Sequence, residues 1–397
     1  MKSRIEANCR QVVRRIREKH LRRINDSQGD VFYISDTYPG VWLEHTYDPL
    51  VWAALSGETA PAVNQTALFL SHQKEDGQLP YFVGQNKIGY SQLQECVSCA
   101  RLCLEVYGLT GDRNYLADIY RRCAAWDDWL CQNRMGKTGM IEMYCGFDSG
   151  HDNSGRLDGM KYHGKVSQNA ADLPVGCPVA PIVAPDLNAV FYGGRMALAD
   201  MATELGLQEE SAAWKEKAAD IHRKLFAVCR DPEDGFFYDV DKNGQLRRCK
   251  SISITAMFCE RVFDQAQADD IFDRYFRNEK EFGTPFPYSS VSAADPVFEK
   301  RMNGNSWGYY SQGLTMLRTL RWMKHYGYEQ ELHDNMEKWL YAWTESPLPF
   351  GQELDPFTGA PSQSSAWYSS TMLFYLYSAR ELGCVSQDLL MDKGEIQ

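Results

Sequence analysis

Two glycine-rich segments of the chain place carboxylates where a reaction could use them. The first segment, 146–156, carries Asp148 and Asp152, and the second, 350–359, carries Glu353. Cleavage of a glycosidic bond needs one protonated carboxyl, which donates to the leaving oxygen, and one ionised carboxylate, which activates water or attacks carbon. Such pairs normally come from loops far apart in sequence, so this pair is a candidate for glycoside hydrolysis.

The same residues also have a purely structural interpretation. Asp, Asn, Ser and Gly favour turns without any chemistry, so Asp148 and Asp152 can be turn formers. Asp355 and Pro356 likewise form an ordinary turn. Residue types and spacing alone therefore leave both interpretations open.

Helical periodicity is the dominant pattern along the chain. Short turns separate the helical segments, and Gly206, Gly327 and Gly383 follow segment ends. Six helical hairpins that close on themselves predict a single all-α catalytic domain over 1–397, an (α/α)6 toroid. A linear solenoid would instead show a repeat of roughly 34–47 residues, which we do not find. The predicted helices cover 3–24, 48–57, 60–73, 90–108, 112–135, 185–206, 208–228, 250–259, 265–277, 306–326, 329–345 and 365–382.

Two further segments interrupt the helical pattern. Residues 232–249 predict one small β-hairpin that turns at Lys242, Asn243 and Gly244. Residues 138–184 form a long irregular stretch, and a loop of that length inside a compact domain is usually functional. We expect it to wall the mouth of the central funnel.

Composition narrows the partners. A net charge of −11 argues against nucleic acid and anionic membranes, which require basic patches. Aromatic residues make up 13% of the chain, and such residues stack on sugar rings as readily as they fill a core. We therefore expect a small carbohydrate as substrate, no nucleic acid or membrane partner, and a possible homo-oligomer.

Cysteine usage and the N-terminal residues predict a cytoplasmic location. The N-terminus lacks the apolar region of a signal peptide, and twelve cysteines without one indicate reduced thiols. Cys96, Cys99 and Cys103 share one helix face, which predicts core packing because no second ligand pair follows at a zinc-site spacing. No phosphate-binding or dinucleotide-binding motif is present, so no cofactor or metal is expected.

Four motifs, in chain order, resemble glycoside hydrolase family sixty-three, which includes processing α-glucosidase and mannosylglycerate hydrolase. They are SGHDNSGR at 149–156, DLNA at 186–189, DGFFYD at 234–239 and ELDPFTG at 353–359. The resemblance covers residues 30–383. It departs from the family at Gly155, where proline is usual, and at 41–48, where the family has Trp-x-Trp-Asp.

The resemblance implies specific roles. Asp152 would be the general acid, Glu353 the general base, and the reaction an exo-acting inverting hydrolysis of an α-glucoside or α-mannoside without a metal. Packing or capping is an alternative for several of the substrate-binding candidates. These candidates are Trp42, Glu44, Tyr47, Asp48, Gln92, Gln94, Asn153, Arg156, Asp186, Asn188, Trp307, Tyr309, Gln312 and Trp367.

Two rival functions suit the same architecture. Sugar 2-epimerases and aldose–ketose isomerases use paired histidines in a helical toroid, because histidine exchanges protons near neutral pH. His45, His151 and His163 fall in predicted funnel-mouth loops, whereas His20 and His222 are among those expected to face solvent. A non-catalytic carbohydrate-binding toroid would keep the aromatics without needing the carboxylate pair.

Overall fold

The fold is mostly helical, as the periodicity predicts. The computed structural model describes residues 1–24, 26–94, 97–160, 169–173, 176–301 and 304–391. Its α-helices are α1 Lys2–Arg15, α2 Asp48–Ser56, α3 Ala60–Ser71, α4 Cys99–Thr110, α5 Arg113–Asn133, α6 Pro185–Leu205, α7 Gln208–Val228, α8 Thr255–Cys259, α9 Gln265–Ile271, α10 Gly313–Thr319, α11 Glu329–Glu345, α12 Ser369–Glu381 and α13 Gln387–Met391.

The long helices end where the sequence predicts. Gly206 follows α6 with φ of 84°, a left-handed conformation that glycine adopts without steric cost. Asp112 caps α5, because its side chain accepts the N–H groups of Asn114 and Tyr115. α6 packs along α7 and also against α4, α5 and α8, so it is central to this half of the fold.

The first predicted helix, 3–24, is wrong at its C-terminal end. α1 ends at Arg15, a π-helical turn follows over Ile16–His20, and Leu21–Arg23 form strand β1. β1 pairs antiparallel with β2, Asp30–Phe32. Pairing with β2 outweighs the helix propensity of Leu21–Arg23, because intrinsic helix propensity is only a weak preference.

The fourth predicted helix begins later than its pattern suggests. Ser98, rather than Ser91, caps α4 and accepts the N–H of Arg101. Upstream, the N–H of Leu93 donates to the carboxylate of Asp148 at 2.8 Å, so the Asp148 loop draws this backbone away from a helix.

The tenth predicted helix, 306–326, is also much shorter in the structure. Ser311–Gln312 form strand β10, which pairs with β11, Glu353–Leu354. The pairing leaves only Gly313–Thr319 for α10. α10 and α11 each pack against α12.

The predicted hairpin is present, but it is not the only β-structure. β8, Asp239–Val240, pairs with β9, Leu246–Arg247. This hairpin extends a sheet begun by β6, Glu142–Met143, and β7, Ile182–Val183. A second sheet contains β3, β4 and β5, and β1–β2 and β10–β11 form two more. β3 is Val41–Trp42, β4 is Phe82–Gly84 and β5 is Lys87–Gly89.

The first and last described helices meet. α1 packs against α11, α12 and α13 through its buried face, which includes Ile5, Val12 and Val13. The described cysteines are free thiols. Within the described residues, no helix has the length and apolar character needed to cross a membrane.

Candidate active site

A polar cavity brings aromatic rings, amides and carboxylates together. Its walls come from the β3 region, the loop after α5, the turn before β10 and the start of α12. The lining residues are Ile34, Tyr38, Trp42, Glu44, His45, Gln94, Gly150, Asp152, Asn305, Trp307, Gln352 and Tyr368.

The loop that carries Asp152 is braced on its N-terminal side. Asp148 makes an ion pair with the buried Arg134 through three hydrogen bonds of 2.9 to 3.0 Å. It also accepts the backbone N–H groups of Leu93 and Tyr144. Burial alone would raise the pKa of Asp148, but Arg134 and these donors more than offset it and hold the pKa below its usual range.

A second buried ion cluster braces the same loop on its C-terminal side. The Arg156 guanidinium binds Asp186 at 2.6 to 2.8 Å and Asp239 at 2.7 to 2.8 Å. Asp186 and Asp239 therefore both bind Arg156. In the sequence, Asp152 lies between Asp148 of the first brace and Arg156 of the second. Burial and the neighbouring Asp186 raise the pKa of Asp239, despite the opposing effect of Arg156.

Glu353 is fully buried and receives several hydrogen bonds. Its Oε2 accepts the side-chain amide of Gln312 at 2.7 Å and the backbone N–H of Ser306 at 3.2 Å. Its Oε1 lies 3.5 Å from the Ser364 hydroxyl. Burial raises the pKa of Glu353, and the donors, Gln312 above all, counteract only part of that rise.

Asn305 and Ser306 connect the two carboxylates. The Asn305 amide donates to Asp152 Oδ2 at 3.2 Å, while the next residue donates its N–H to Glu353. The backbone N–H of Trp307 donates to the carbonyl of Asp152 at 3.1 Å. A single turn of chain therefore contacts both predicted catalytic residues.

Left-handed backbone conformations concentrate around this cavity. Among the described residues, six that are not glycine have positive φ, and Gln94, Asn153, Asn305, Ser365 and Trp367 are five of them. Gln94 and Asn305 line the cavity, Asn153 donates to the Asn305 carbonyl, and Trp367 precedes Tyr368. Such conformations persist where the surroundings impose them, and they cluster at functional sites.

The predicted binding residues separate into two groups. Trp42, Glu44, Gln94 and Trp307 line the cavity together with Asp152. Gln312 reaches the site through Glu353, and Gln92 donates to the Gln94 amide oxygen at 2.9 Å. Asn153 supports Asn305, and Asp48 supports His45.

The structure does not bring the other candidates into the cavity lining. Asn188 hydrogen bonds both the N–H and the carbonyl of Ile141, so its amide joins α6 to the loop after α5. Tyr47 lies under the Arg321 guanidinium, 5.1 Å from its carbon. Tyr309 donates to Asp355, and Trp367 stacks beneath Arg15. Arg156 and Asp186 pair with each other in the second brace.

Sequence reasoning missed five lining residues that contribute polar groups or rings. Tyr38 is close enough to Asp152, Glu44 and Glu353 for all three carboxylates to raise its pKa, after burial as the largest cause. The sequence predicts only that His45 lies in a funnel-mouth loop. Asn305 and Gln352 flank predicted positions, so proximity in sequence could have found them. Tyr368 immediately precedes α12, and no local signal in the sequence marks it.

The histidines do not follow the sequence prediction throughout. His20 is buried rather than solvent-facing, and burial lowers its pKa to about 4. His151 stacks on Trp307 at 4.5 Å, and burial together with the Arg156 charge lowers its pKa to about 3. His151 is therefore a poor proton carrier near neutral pH. His163 lies outside the described residues.

One group of metal-ligating side chains forms elsewhere in the described part of the chain. The sulfur atoms of Cys99, Cys103 and Cys123 lie within 4.8 Å of one another, and all three residues are buried between α4 and α5. They do not line the cavity. Cys96, which shares their predicted helix face, lies outside the described residues.

A family model matches most of the chain. The model of the mannosylglycerate hydrolase MGH1-like glycoside hydrolase domain matches residues 51–371. An uncharacterized curated protein of Borreliella burgdorferi is 23% identical over 172 residues, which are 42% of this chain and 35% of that protein. The chain thus matches about a third of the length of that relative.

Solved structures share the fold. The GH63 mannosylglycerate hydrolase from Thermus thermophilus in complex with Tris gives a TM-score of 0.75 at 16% identity, over 95% of this chain and 100% of that one. Its complex with glucose gives 0.74 at 19% identity and the same coverage. Neutral trehalase Nth1 from Saccharomyces cerevisiae gives 0.68 at 14% identity, over 94% and 80%. At these identities the likeness concerns the fold.

Proposed function

Because the chain belongs to the family of mannosylglycerate hydrolase MGH1-like glycoside hydrolase domains, we propose that it is an inverting α-glycosidase. Its substrate is a small α-glycoside or short oligosaccharide of the α-glucoside or α-mannoside type. The observation that carries this proposal is the hydrogen-bonded unit of Asp152, Asn305, Ser306 and Glu353 beside one cavity.

In the proposed mechanism Asp152 is the general acid. It lines the cavity, where it can protonate the leaving glycosidic oxygen. Its position depends on the braces at Asp148 and Arg156, which hold the loop from both sides. A fixed donor is important because proton transfer requires hydrogen-bond distance to the leaving group.

Glu353 is the proposed general base, which removes a proton from the attacking water. A raised pKa strengthens a carboxylate as a base once it is ionised. Gln312 and the Ser306 N–H hold one carboxylate oxygen, Oε2, so its orientation is set before the substrate arrives. Inversion requires room for that water, about 6.5–9.5 Å between the two carboxyl groups.

The architecture supports exo-action at a chain end. We propose that the helical hairpins close into a six-hairpin toroid forming one catalytic domain, since α1 meets α11, α12 and α13. The cavity is small and is walled by several separate parts of the chain, which suits one sugar ring better than an extended chain. The glucose complex of the Thermus mannosylglycerate hydrolase supports a monosaccharide-sized ligand. Free cysteines support the predicted cytoplasmic location.

Substitution of the two carboxylates tests the proposal. Asp152→Asn and Glu353→Gln should each lower kcat on α-glucosides or α-mannosides by roughly 10²–10⁴-fold, because each removes one proton-transfer group. The matched controls are Asp334→Asn and Glu337→Gln on the exposed face of α11, which should retain wild-type activity. Proton NMR of the first product anomer should show the β-anomer released from an α-linkage. An α-anomer, or full activity in either active-site variant, would contradict the mechanism.

A further inference from the structure

A chain of buried hydrogen bonds ends at the wall of the cavity. His45 Nδ1 lies 3.2 Å from Asp48 Oδ2, and His45 Nε2 lies 3.1 Å from the Tyr368 hydroxyl. Asp48 also accepts the hydroxyls of Ser369 and Ser370, at the start of α12. His45 and Tyr368 line the cavity, whereas Asp48 lies behind them. The three side chains are each at most 3% exposed.

The carboxylate at the inner end sets the direction of these hydrogen bonds. An ionised carboxylate only accepts, so it selects the histidine tautomer that carries its proton on Nδ1. In the neutral ring Nε2 is then an acceptor, and it takes the proton of the Tyr368 hydroxyl. Burial, reinforced by Glu44 and Asp48, raises the pKa of Tyr368 well above its usual range, so this group stays a hydroxyl.

The remaining hydrogen-bonding capacity of Tyr368 is therefore that of an acceptor. Its one proton is directed at His45, and its oxygen lone pairs are left for a ligand in the cavity. Glu44 stands beside it, with Oε1 only 3.7 Å from His45 Nε2. Gln94 donates to that oxygen at 3.0 Å, and Gln92 holds the other end of the Gln94 amide. Like Tyr368, the Glu44 carboxylate offers only acceptors.

We propose that Tyr368 and Glu44 form an acceptor wall that recognises sugar hydroxyls as hydrogen-bond donors, with Asp48 and His45 fixing that polarity. This inference rests on the proposed function and adds a substrate class: a neutral sugar whose hydroxyls at this wall are unsubstituted. A phosphate, carboxylate or sulfate at those positions would bring acceptors and negative charge against acceptors and Glu44. Such sugars should be excluded, since a buried group left without a partner is costly.

Part of the wall lies in the segment that departs from the family motif. Glu44 and His45 belong to residues 41–48, where the family has Trp-x-Trp-Asp. Tyr368, Ser369 and Ser370 come from the opposite end of the chain, so the wall forms only when the fold brings these segments together. Sugar selectivity in this chain therefore depends on residues outside the four motifs.

Deoxy and deoxyfluoro sugars test the polarity directly, because fluorine replaces a hydroxyl without being able to donate. Dissociation constants for glucose, mannose and their 2-, 3-, 4- and 6-substituted analogues would be measured by calorimetry at pH 8. For at least one position, the deoxy and the deoxyfluoro analogue should bind equally poorly, each about 10-fold or more below the parent sugar. The glucose phosphate that carries its phosphate at such a position should bind more weakly than glucose.

Three variants assign this pattern to the wall. Tyr368→Phe should lower binding of the parent sugar to the level of its deoxy analogue, while Tyr328→Phe, a buried tyrosine bonded to Asp269 elsewhere, should not. Asp48→Asn replaces the pure acceptor with an amide that can donate to Nδ1. It should therefore reduce the preference for hydroxyl over fluorine, a ratio that simple loss of folded protein would not change.

The outcomes separate this inference from the proposed function. It is overturned if every deoxyfluoro analogue binds as well as its parent, if that glucose phosphate binds as tightly as glucose, or if no sugar in the panel binds. If α-glycosides are hydrolysed and any of these results is obtained, the proposed glycosidase activity is retained and the acceptor wall is rejected. If the predicted binding pattern is observed but no α-glycoside is hydrolysed, the acceptor wall is retained and the proposed glycosidase activity is rejected.

Discussion

At the residue scale, Glu353 makes the proposed reaction sensitive to acid. Burial raises its pKa above the ordinary value of 4.5, and Gln312 is the first of the donors that oppose this. As a general base it must be ionised, so kcat/KM should fall as the pH drops through that raised pKa. Gln312→Met removes the opposing donor and should move the acidic limb to higher pH, as measured from a pH profile of kcat/KM. An unmoved limb, or one equally displaced in the surface variant Gln330→Met, would contradict the prediction.

The same burial predicts a conflict between activity and stability. A carboxyl whose pKa is raised on folding stabilises the fold most below its unfolded pKa, and this contribution is lost as the pH rises through the folded pKa. At pH 7 the ionised Glu353 therefore disfavours the folded state. Glu353→Gln should increase the free energy of unfolding by about 0.5–2 kcal/mol at pH 7 while strongly lowering kcat. Urea denaturation at pH 7 measures this change in the free energy of unfolding. A destabilised variant would show that the hydrogen-bond donors around Glu353 compensate its charge.

Residue types located the candidate acid and base but not most of their surroundings. Asp152 and Glu353 were predictable because each is a carboxylate in a glycine-rich segment. Tyr368 and His45 are 323 positions apart, and each looks ordinary in its own segment. Because their contact depends on the whole fold, no local pattern could have predicted it.

At the element scale, Asp148 pairs with Arg134 at the end of α5 and accepts the N–H of Leu93, which joins the loop after α5 to the segment before α4. Asp148→Asn leaves the buried Arg134 charge uncompensated and should destabilise the fold by about 3–5 kcal/mol. The matched surface change Asp118→Asn, which disturbs exposed pairs with Arg121 and Arg122, should cost about 0–1 kcal/mol. Chemical denaturation at pH 7 compares them, and equal effects would contradict the importance of the brace.

The pH dependence of this brace has the opposite sign to that of Glu353. Since the folded-state pKa of Asp148 is lowered, its stabilisation is present above its unfolded pKa and disappears as the pH falls through the folded value. The difference between wild type and Asp148→Asn should therefore shrink in strongly acidic solution, below about pH 3.8.

Helices with strong local signals were predictable, and helices interrupted by distant partners were not. α6 and α7 match their patterns because Gly206 stops one and a short turn starts the other. The predicted helix 306–326 failed because β10 pairs with β11, a segment more than forty residues away. Short strands at a site are set by such pairing rather than by β-propensity.

At the scale of the whole molecule, α1 is predicted to be essential although it carries none of the four motifs. It buries Ile5, Cys9, Val12 and Val13 against the last helices, and each buried aliphatic side chain contributes about 1.5–3 kcal/mol. Their sum is of the order of the whole stability of a domain, about 5–15 kcal/mol. A chain lacking residues 1–15 should therefore lose its cooperative thermal transition. Calorimetry checks this, with the double variant Arg4→Gln and Arg10→Gln on the exposed face of α1 as the control that should still unfold cooperatively.

The overall helical architecture was accessible from sequence because periodicity is repeated along the chain. Apart from the β8–β9 hairpin, the four small sheets were not, since their described strands have only two or three residues and no alternating pattern can be recognised over that length. These strands nonetheless position Trp42, Gln312 and Glu353. The parts of the molecule that carry the site are thus the parts with the weakest sequence signal.

The left-handed residues around the cavity also bear on laboratory evolution. At Gln94, Asn153, Asn305, Ser365 and Trp367, glycine would relieve a conformation that a side chain adopts only at a cost of about 1–3 kcal/mol. A library selected for heat resistance alone would be expected to enrich glycine at these positions and to drift toward robust but inactive clones. Alternating rounds of heat challenge and sugar turnover would be needed to keep both properties in one lineage.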